Sequence, residues 1–475
     1  MNIPAEQPID HYRSEFSSRE SHLPGAAIGW LREKRRISFE RFADSGFPCS
    51  RREEWKYTPV EPIIKRTYRV IDDNRVPPEL DGNSLEALYL SGANSHCLVF
   101  LNGVYVPQLS RLSRLPGGVI VGSIADGFVA PSEVFSGQFQ HHFDHHIVTA
   151  TSSTGFSALN SAFFADGAFI YLPPDAVVEP PIQLLFLSTL GNSHIISHPR
   201  ILIVAEQDSQ VDVVESFASL GEPVEEGTHL INAVTEISLG SNAQVRHCKL
   251  QNEREKAALH IAGLAVYQEK DSRFFSYSIS VGGKFTRNDI NAVIDAEGGA
   301  CSLDGLYLAG KRQHVDYYTR IEHTKPYGTS VQRYKGILAG RAHGVFNGQV
   351  YVHPDAQHTD AKQRNENLLL SKDAQVDTKP QLDIFADDVQ CAHGATVGKI
   401  DEKMIFYLRS RGIAANVAKS LLTYAFASEI VERIPIEAIR TKLTEIVLTQ
   451  LPDADQARER LQELVPSMTN TPANG

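Results

Sequence analysis

A chain of 475 residues with 42% hydrophobic and 22% charged side chains is long enough to bury sizeable cores. At about 150 residues per domain it divides into two to four structural units, and its composition is neither disordered nor fibrous. The formal net charge of -11 repels phosphate backbones and anionic membranes, so nucleic acid is not an expected partner.

The chain opens without a basic, then apolar, leader, and apolar runs such as 182–187 fall short of the about 20 residues needed to span a bilayer. Neither export nor membrane insertion is expected. Five scattered cysteines, Cys49, Cys97, Cys248, Cys301 and Cys391, argue against a disulfide framework and fit a reducing cytoplasm.

In chain order, Ala27, Trp30, Leu31, Phe39 and Phe42 recur at helical spacing, and Gly46 with Pro48 closes the run. This predicts a helical N-terminal region over 1–85. After Pro77 and Pro78 the character changes to short strands, and 98–106 reads as strand, Asn102-Gly103 turn and strand. His141, His142, His145 and His146 offer two i, i+4 pairs that could catch a divalent metal on a helix. A solvated polar helix is the plainer reading.

From Arg200 onward a strand, a polar turn and a second strand recur, so that Val211, Val245, Phe274, Ser302, Val331, Thr359 and Cys391 can share a column. The successive differences are 34, 29, 28, 29, 28 and 32. Such a period announces a solenoid, because each coil must bury its apolar face on its neighbours. The predicted fold is mainly β, a right-handed parallel β-helix over 86–400, with a β-sandwich of evenly spaced hairpins as the alternative. Beyond Lys399 the pattern returns to helix over 401–475. Asn416 is a candidate cap for a segment whose Val417, Leu421, Leu422, Ala425, Phe426 and Ile430 line one face, and Pro435 precedes a second helix.

The sharpest chemical arrangement is Cys391-Ala392-His393. On a strand, residues i and i+2 face one side, so a thiol and an imidazole address one region of space, and that donor pair suits iron, zinc, copper or a cluster. Two ligands fall short of the four that a closed zinc site needs, and the plain alternative is a small buried cysteine beside a surface histidine. His353, His358 and Asp360 read as surface residues. The sequence contains no phosphate-binding G-x-x-x-x-G-K-[ST] loop, no G-x-S-x-G elbow and no H-E-x-x-H helix. A self-contained enzyme is therefore not expected.

Residues 367–413, NLLLSKDAQVDTKPQLDIFADDVQCAHGATVGKIDEKMIFYLRSRGI, resemble the C-terminal core of the SufB/SufD family of iron-sulfur assembly scaffolds, and CAHGATVG is similar to its SufD branch. Residues 52–58, REEWKYT, resemble the family's N-terminal W-[KR]-Y-T signature, and LVFLNGVYVP resembles the strand pair after it. The resemblance covers most of the chain and is weakest over 117–197.

It implies pairing with a SufB-like subunit and binding of a SufC-like ABC-type ATPase, for which Leu421, Leu422 and Phe426 form the candidate docking face. It implies a nascent cluster assembled in the complex, with Cys391 and His393 as candidate metal ligands near the shared interface and His393 as the functionally important position. No cofactor is expected to stay on this chain alone; iron, a nascent cluster or a reduced flavin are the ligands left open for the complex. A homodimer of the isolated chain through the edge that would meet the SufB-like subunit is the remaining partner expectation. The competing functions are a SufB-like cluster-carrying subunit, disfavoured by the missing upstream cysteine cluster, and a β-helix carbohydrate-active enzyme, disfavoured by the absence of a recurring carboxylate column.

Overall fold

The computed structural model describes residues 6–71, 85–90, 96–129, 135, 137–143, 155–189, 192–221, 227–449, 456 and 458–460. His145 and His146 lie outside them, while His141 and His142 lie in a helical stretch.

From the strand pair Gly167–Leu172 and Val177–Thr189 to the pair Gln375–Ile384 and Gln390–Gly398, the chain winds as a parallel β-solenoid. Each coil contributes one strand to each of two sheets, which hold 11 and 10 strands among the described residues. The reason is repetitive burial. Ile170, Ile203, Ile237 and Val266 meet Val211, Val245 and Phe274 in one core between the sheets, while Phe100, Phe186 and Phe217 stack along it with ring centroids 4.8 and 4.9 Å apart. Where a helix also covers the outer face, strands are buried on both sides, as in the uniformly buried His229–Leu239.

The interior column that ends at Cys391 is Val211, Val245, Phe274, Cys301, Ser330, Ala361 and Cys391. The predicted column is right at both ends and slips in the middle. Ser302 and Val331 stand one residue away on the outer face, and Thr359 lies in a turn. A one-residue slip reverses the face of every side chain; it begins at Ser302 in place of Cys301, and the next interior residue, Ser330, is polar, only 1% exposed and meets the His323 ring 2.9 Å away inside the solenoid.

Along one edge the turns are held by a column of left-handed residues: Asp175, Asp208, Asn242, Asp271, Gly298, Tyr327 and His358, with φ between 56° and 73°. The amide of each donates to a carbonyl one coil on, as from Asp208 to Ser241 at 3.0 Å, Asn242 to Lys270 at 2.8 Å and Tyr327 to Gln357 at 2.9 Å. Asn and Asp dominate the column because they tolerate this conformation best after glycine.

The N-terminal region packs on the outside of the larger sheet. Helices Glu6–Arg19 and Gly29–Ser45, both within the predicted helical N-terminal region, join Gly155–Phe163 in a cluster that includes Tyr12, Phe16, Phe42, Trp55 and strand residues Leu230 and Leu259. Gly46 ends the second helix with φ 63°, as its position predicts. The W-K-Y-T segment is a clasp. Trp55 is fully buried beneath Arg287, whose guanidinium carbon lies 3.8 Å from the ring centroid; Arg287 pairs with Asp289 and Asp316, and the Thr58 hydroxyl donates to Asp316 at 2.5 Å.

Helices Glu402–Ser410, Ala415–Val431 and Glu437–Thr449 belong to the other sheet, where Val417, Leu421, Tyr424 and Ile430 share a cluster with Leu250, Ile279, Leu306 and Ile337. Asp401 caps the first of them through the Lys403 amide. Ala414, not Asn416, occupies the cap position of the second, without a side-chain hydrogen bond. Among the described residues, no helix is long and apolar enough to cross a membrane.

The two ends of the solenoid differ. At the first, Val104–Tyr105 and Ile120–Ser123 close the sheets as short antiparallel strands, and Asn102 (φ 52°) with Gly103 (φ 88°) forms the predicted hairpin turn. At the other, Gln375–Ile384 and Gln390–Gly398 are outermost, each paired on one side.

Candidate functional site

The bare end is where the sequence-predicted ligands lie. Cys391 pairs in register with Ala361 and His393 with Gln363, so both side chains continue interior columns at a coil with no further strand beyond it among the described residues. The His393 column runs back through Gln363, Gln332, Leu303 and Ser276 to His247. In the coils behind it this column is buried; at His393 it is exposed. The solenoid thus carries its internal file of side chains to the surface.

Cys391 is half-buried against Val350, Val352 and Ala361, and burial pushes its thiol up, opposed by the Ala361 backbone and reinforced by Asp360. A raised thiol is a poor metal ligand until a cation lowers it. Among the described residues no three His, Cys, Asp or Glu side chains form a group that could hold a metal ion. Cys391 and His393 are two donors, fewer than a closed site needs.

His353 and His358 are engaged elsewhere. The first lies 2.6 Å from Glu322 and the second 3.0 Å from Asp388, with its ring stacked on Tyr327. Asp360 pairs with Lys362 at 2.9 Å, so these residues are not gathered into one site.

Beside His393 a cleft of about 860 Å³ opens between the sheet and helix Ala415–Val431, lined also by Arg333, Lys335, Arg364, Glu429 and Arg433. Lys335 fastens the helix here. Its Nζ lies 2.6 Å from Glu429 and 3.1 Å from Glu366, and 4.3 Å from the centroid of the Phe426 ring. Of the three predicted docking residues, Leu421 is thus in the intramolecular core, Phe426 lies under Lys335, and Leu422 is half-buried.

The large apolar side chains left in solvent near this end are others. Phe406 is 72% exposed, Tyr407 51% and Met404 47%, on the short helix Glu402–Ser410, which buries only Ile405. Sequence reasoning passed over them, although four consecutive apolar residues, 404–407, exceed what one helix face can bury. An exposed cluster of this kind marks an interaction surface.

Two sequence families match the chain. Residues 6–184 match the family described as SufBD protein N-terminal region, and residues 188–426 match SUF system FeS cluster assembly, SufBD core domain. The chain is 33% identical to an iron-sulfur cluster assembly SufBD family protein of Synechocystis, covering 90% of this chain and 93% of that one. It is 31% identical to the iron-sulfur cluster assembly protein SufD of Escherichia coli, over 86% and 90% of the two chains. Protein ABCI7, chloroplastic, of Arabidopsis thaliana is 29% identical over 89% and 86%.

Proposed function

Because this chain belongs to the SufBD family of SUF-system iron-sulfur cluster assembly proteins, we propose that it acts as a SufD-type scaffold subunit. In this reading it meets a SufB-like subunit at the bare end of the solenoid and carries a SufC-like ABC-type ATPase on its C-terminal helices, leaving nucleotide hydrolysis to that partner. The observation that carries the reading is the last coil, whose two outermost strands are each paired on one side among the described residues and whose interior file emerges at His393. An unpaired strand edge is a template for another chain.

Iron or a nascent cluster is the cargo. The imidazole of His393 offers one borderline donor suited to iron, and the thiolates that this coil lacks come from the facing subunit. Cys391, with its raised thiol, packs the end of the core and holds the strand in place behind His393.

The test is co-purification with SufB-like and SufC-like proteins of the same genome, followed by anaerobic cluster reconstitution. His393→Ala is expected to keep both partners and the thermal stability of the parent chain while cluster yield drops about tenfold or more. Loss of the SufB-like partner would make His393 an interface residue instead, and normal yield would remove it from cluster handling. Failure to recover either partner with the unmodified chain would overturn the scaffold reading itself.

A further inference from the structure

One long edge of the solenoid is acidic, and a stretch of the other, from Lys256 to Arg341, is basic. The edge with the left-handed Asp and Asn column also bears Glu206, Glu269, Glu297 and Asp388, against Lys270 and Lys325. On the other edge, successive turns read Gly283-Lys284, Lys311-Arg312 and Gly340-Arg341. These turns are stacked by backbone hydrogen bonds, from His314 to Lys284 at 3.1 Å and from Arg341 to Lys311 at 2.5 Å. Neighbouring coils are about 4.8 Å apart, so one cation per turn becomes a row.

With Lys256 from the preceding turn, these side chains line a cleft of about 550 Å³ whose one acid, Glu255, is taken by Lys311 at 2.7 and 3.0 Å. Lys256, Lys284, Arg312 and Arg341 are exposed and carry no ion pair among the described residues. A second feature singles out the same place. The left-handed turn position on this edge is glycine at Gly221, Gly283 and Gly340, yet it is Lys311, at φ 50°, in the middle of the cleft. A side chain is retained there in a conformation that disfavours any residue with a Cβ.

We infer that this edge binds a compact multivalent anion of the oligophosphate class, either free or as the tail of a nucleotide. Like charges gathered without counterions in a concave site focus the field on a small anion. An extended acidic protein would meet the rest of a chain whose net charge is -11, whereas a compact anion feels only charges within about 8 Å at physiological ionic strength. The row lies on turns rather than on the bare end, so it is separate from the His393 cleft.

Titration calorimetry of the full chain with sodium tripolyphosphate at about 50 mM salt tests the inference, and binding should weaken about tenfold or more when salt is raised to about 500 mM. Lys284→Glu with Arg341→Glu should lower the affinity about tenfold or more, as should Lys256→Glu alone in the same direction, while Lys270→Glu on the opposite edge leaves it unchanged; circular dichroism confirms that each variant folds. ATP bound as tightly as tripolyphosphate assigns the nucleotide tail, and preference for tripolyphosphate assigns the free anion; either supports the site. Absence of tripolyphosphate binding at millimolar concentration, or equal binding by folded charge-reversed variants, overturns it.

Discussion

At the scale of single residues, the solenoid interior holds ionisable groups in forms they would not keep in water. Burial holds the imidazoles of His198 and His314 down to about 3, the latter helped by His343 and Arg287, and those of His229 and His323 down to about 4. All four are neutral in the folded chain at mildly acidic pH, whereas in the unfolded chain they protonate below about 6.5. Depressed folded values therefore make stability fall as pH drops from about 6.5 toward 4, and unfolding near pH 5 is accompanied by the binding of about four protons at these sites. Thermal unfolding followed against pH should show that slope, and His229→Gln should flatten it by about one proton.

The clasp of Trp55 under Arg287 is a second residue-scale device. Trp55→Ala leaves a cavity below a buried guanidinium and should cost about 3–5 kcal/mol in urea unfolding, an effect that a surface substitution such as Lys56→Ala would not reproduce.

The scale of elements is where sequence and structure part company. The repeat, the Asn102-Gly103 hairpin, the Gly46 helix stop and the helical return after Lys399 were all legible, because each rests on local chemistry: left-handed glycines, turn residues and helical periodicity. Register was legible at Val211, Val245, Phe274 and Cys391 and slipped between them, even at the apolar Cys301 and Ala361. Val211, Val245 and Phe274 align by hydrophobicity, but Ser330, Gln332 and Gln363 are interior and polar, and turns of unequal length, such as 324–328 and 353–359, hide the shift. The docking face suffered the reverse problem. Leu421 reads as part of an apolar face that must bury itself on something, and only the fold shows that the sheet beneath covers it while Met404, Phe406 and Tyr407 stay in solvent.

This separation changes what a test can mean. Truncation near Lys403 would strip the helix that covers Leu250, Ile279 and Leu306, exposing an apolar sheet face and confounding docking with folding. Phe406→Asp combined with Tyr407→Asp is the sharper change. It should leave the unfolding midpoint nearly unchanged and abolish capture of the SufC-like ATPase in a pull-down. Leu421→Ala should instead lower stability by about 2–5 kcal/mol. If the double variant still captures the ATPase, the docking surface is elsewhere on the chain.

At the scale of the whole molecule, the bare end is protected on one strand and open on the other. Gln375–Ile384 carries Pro380 and the charges Asp377, Lys379 and Asp383, which discourage unwanted pairing. Gln390–Gly398 has no Asp, Glu, Lys or Arg and no proline. The amide of Gln390 is bonded back to Thr359, so strand alternation turns those of Cys391, His393, Ala395 and Val397 outward. Ala395→Pro deletes one outward donor. It should weaken self-association of the isolated chain and capture of the SufB-like partner, both readable by light scattering after gel filtration, without unfolding the monomer.

A stack closed at one end and bare at the other has a direction along which it loosens. Each coil is secured by the two that flank it, and the last has one neighbour, so opening should begin at Gln390–Gly398 and travel back toward the hairpin-closed end, as nearest-neighbour stability requires. Amide hydrogen exchange would record this as a gradient, fastest in the final coil and slowest around His229–Leu239. A partner seated on that edge would give the last coil its second neighbour, so the slowing of exchange on assembly should fade coil by coil with distance from the contact.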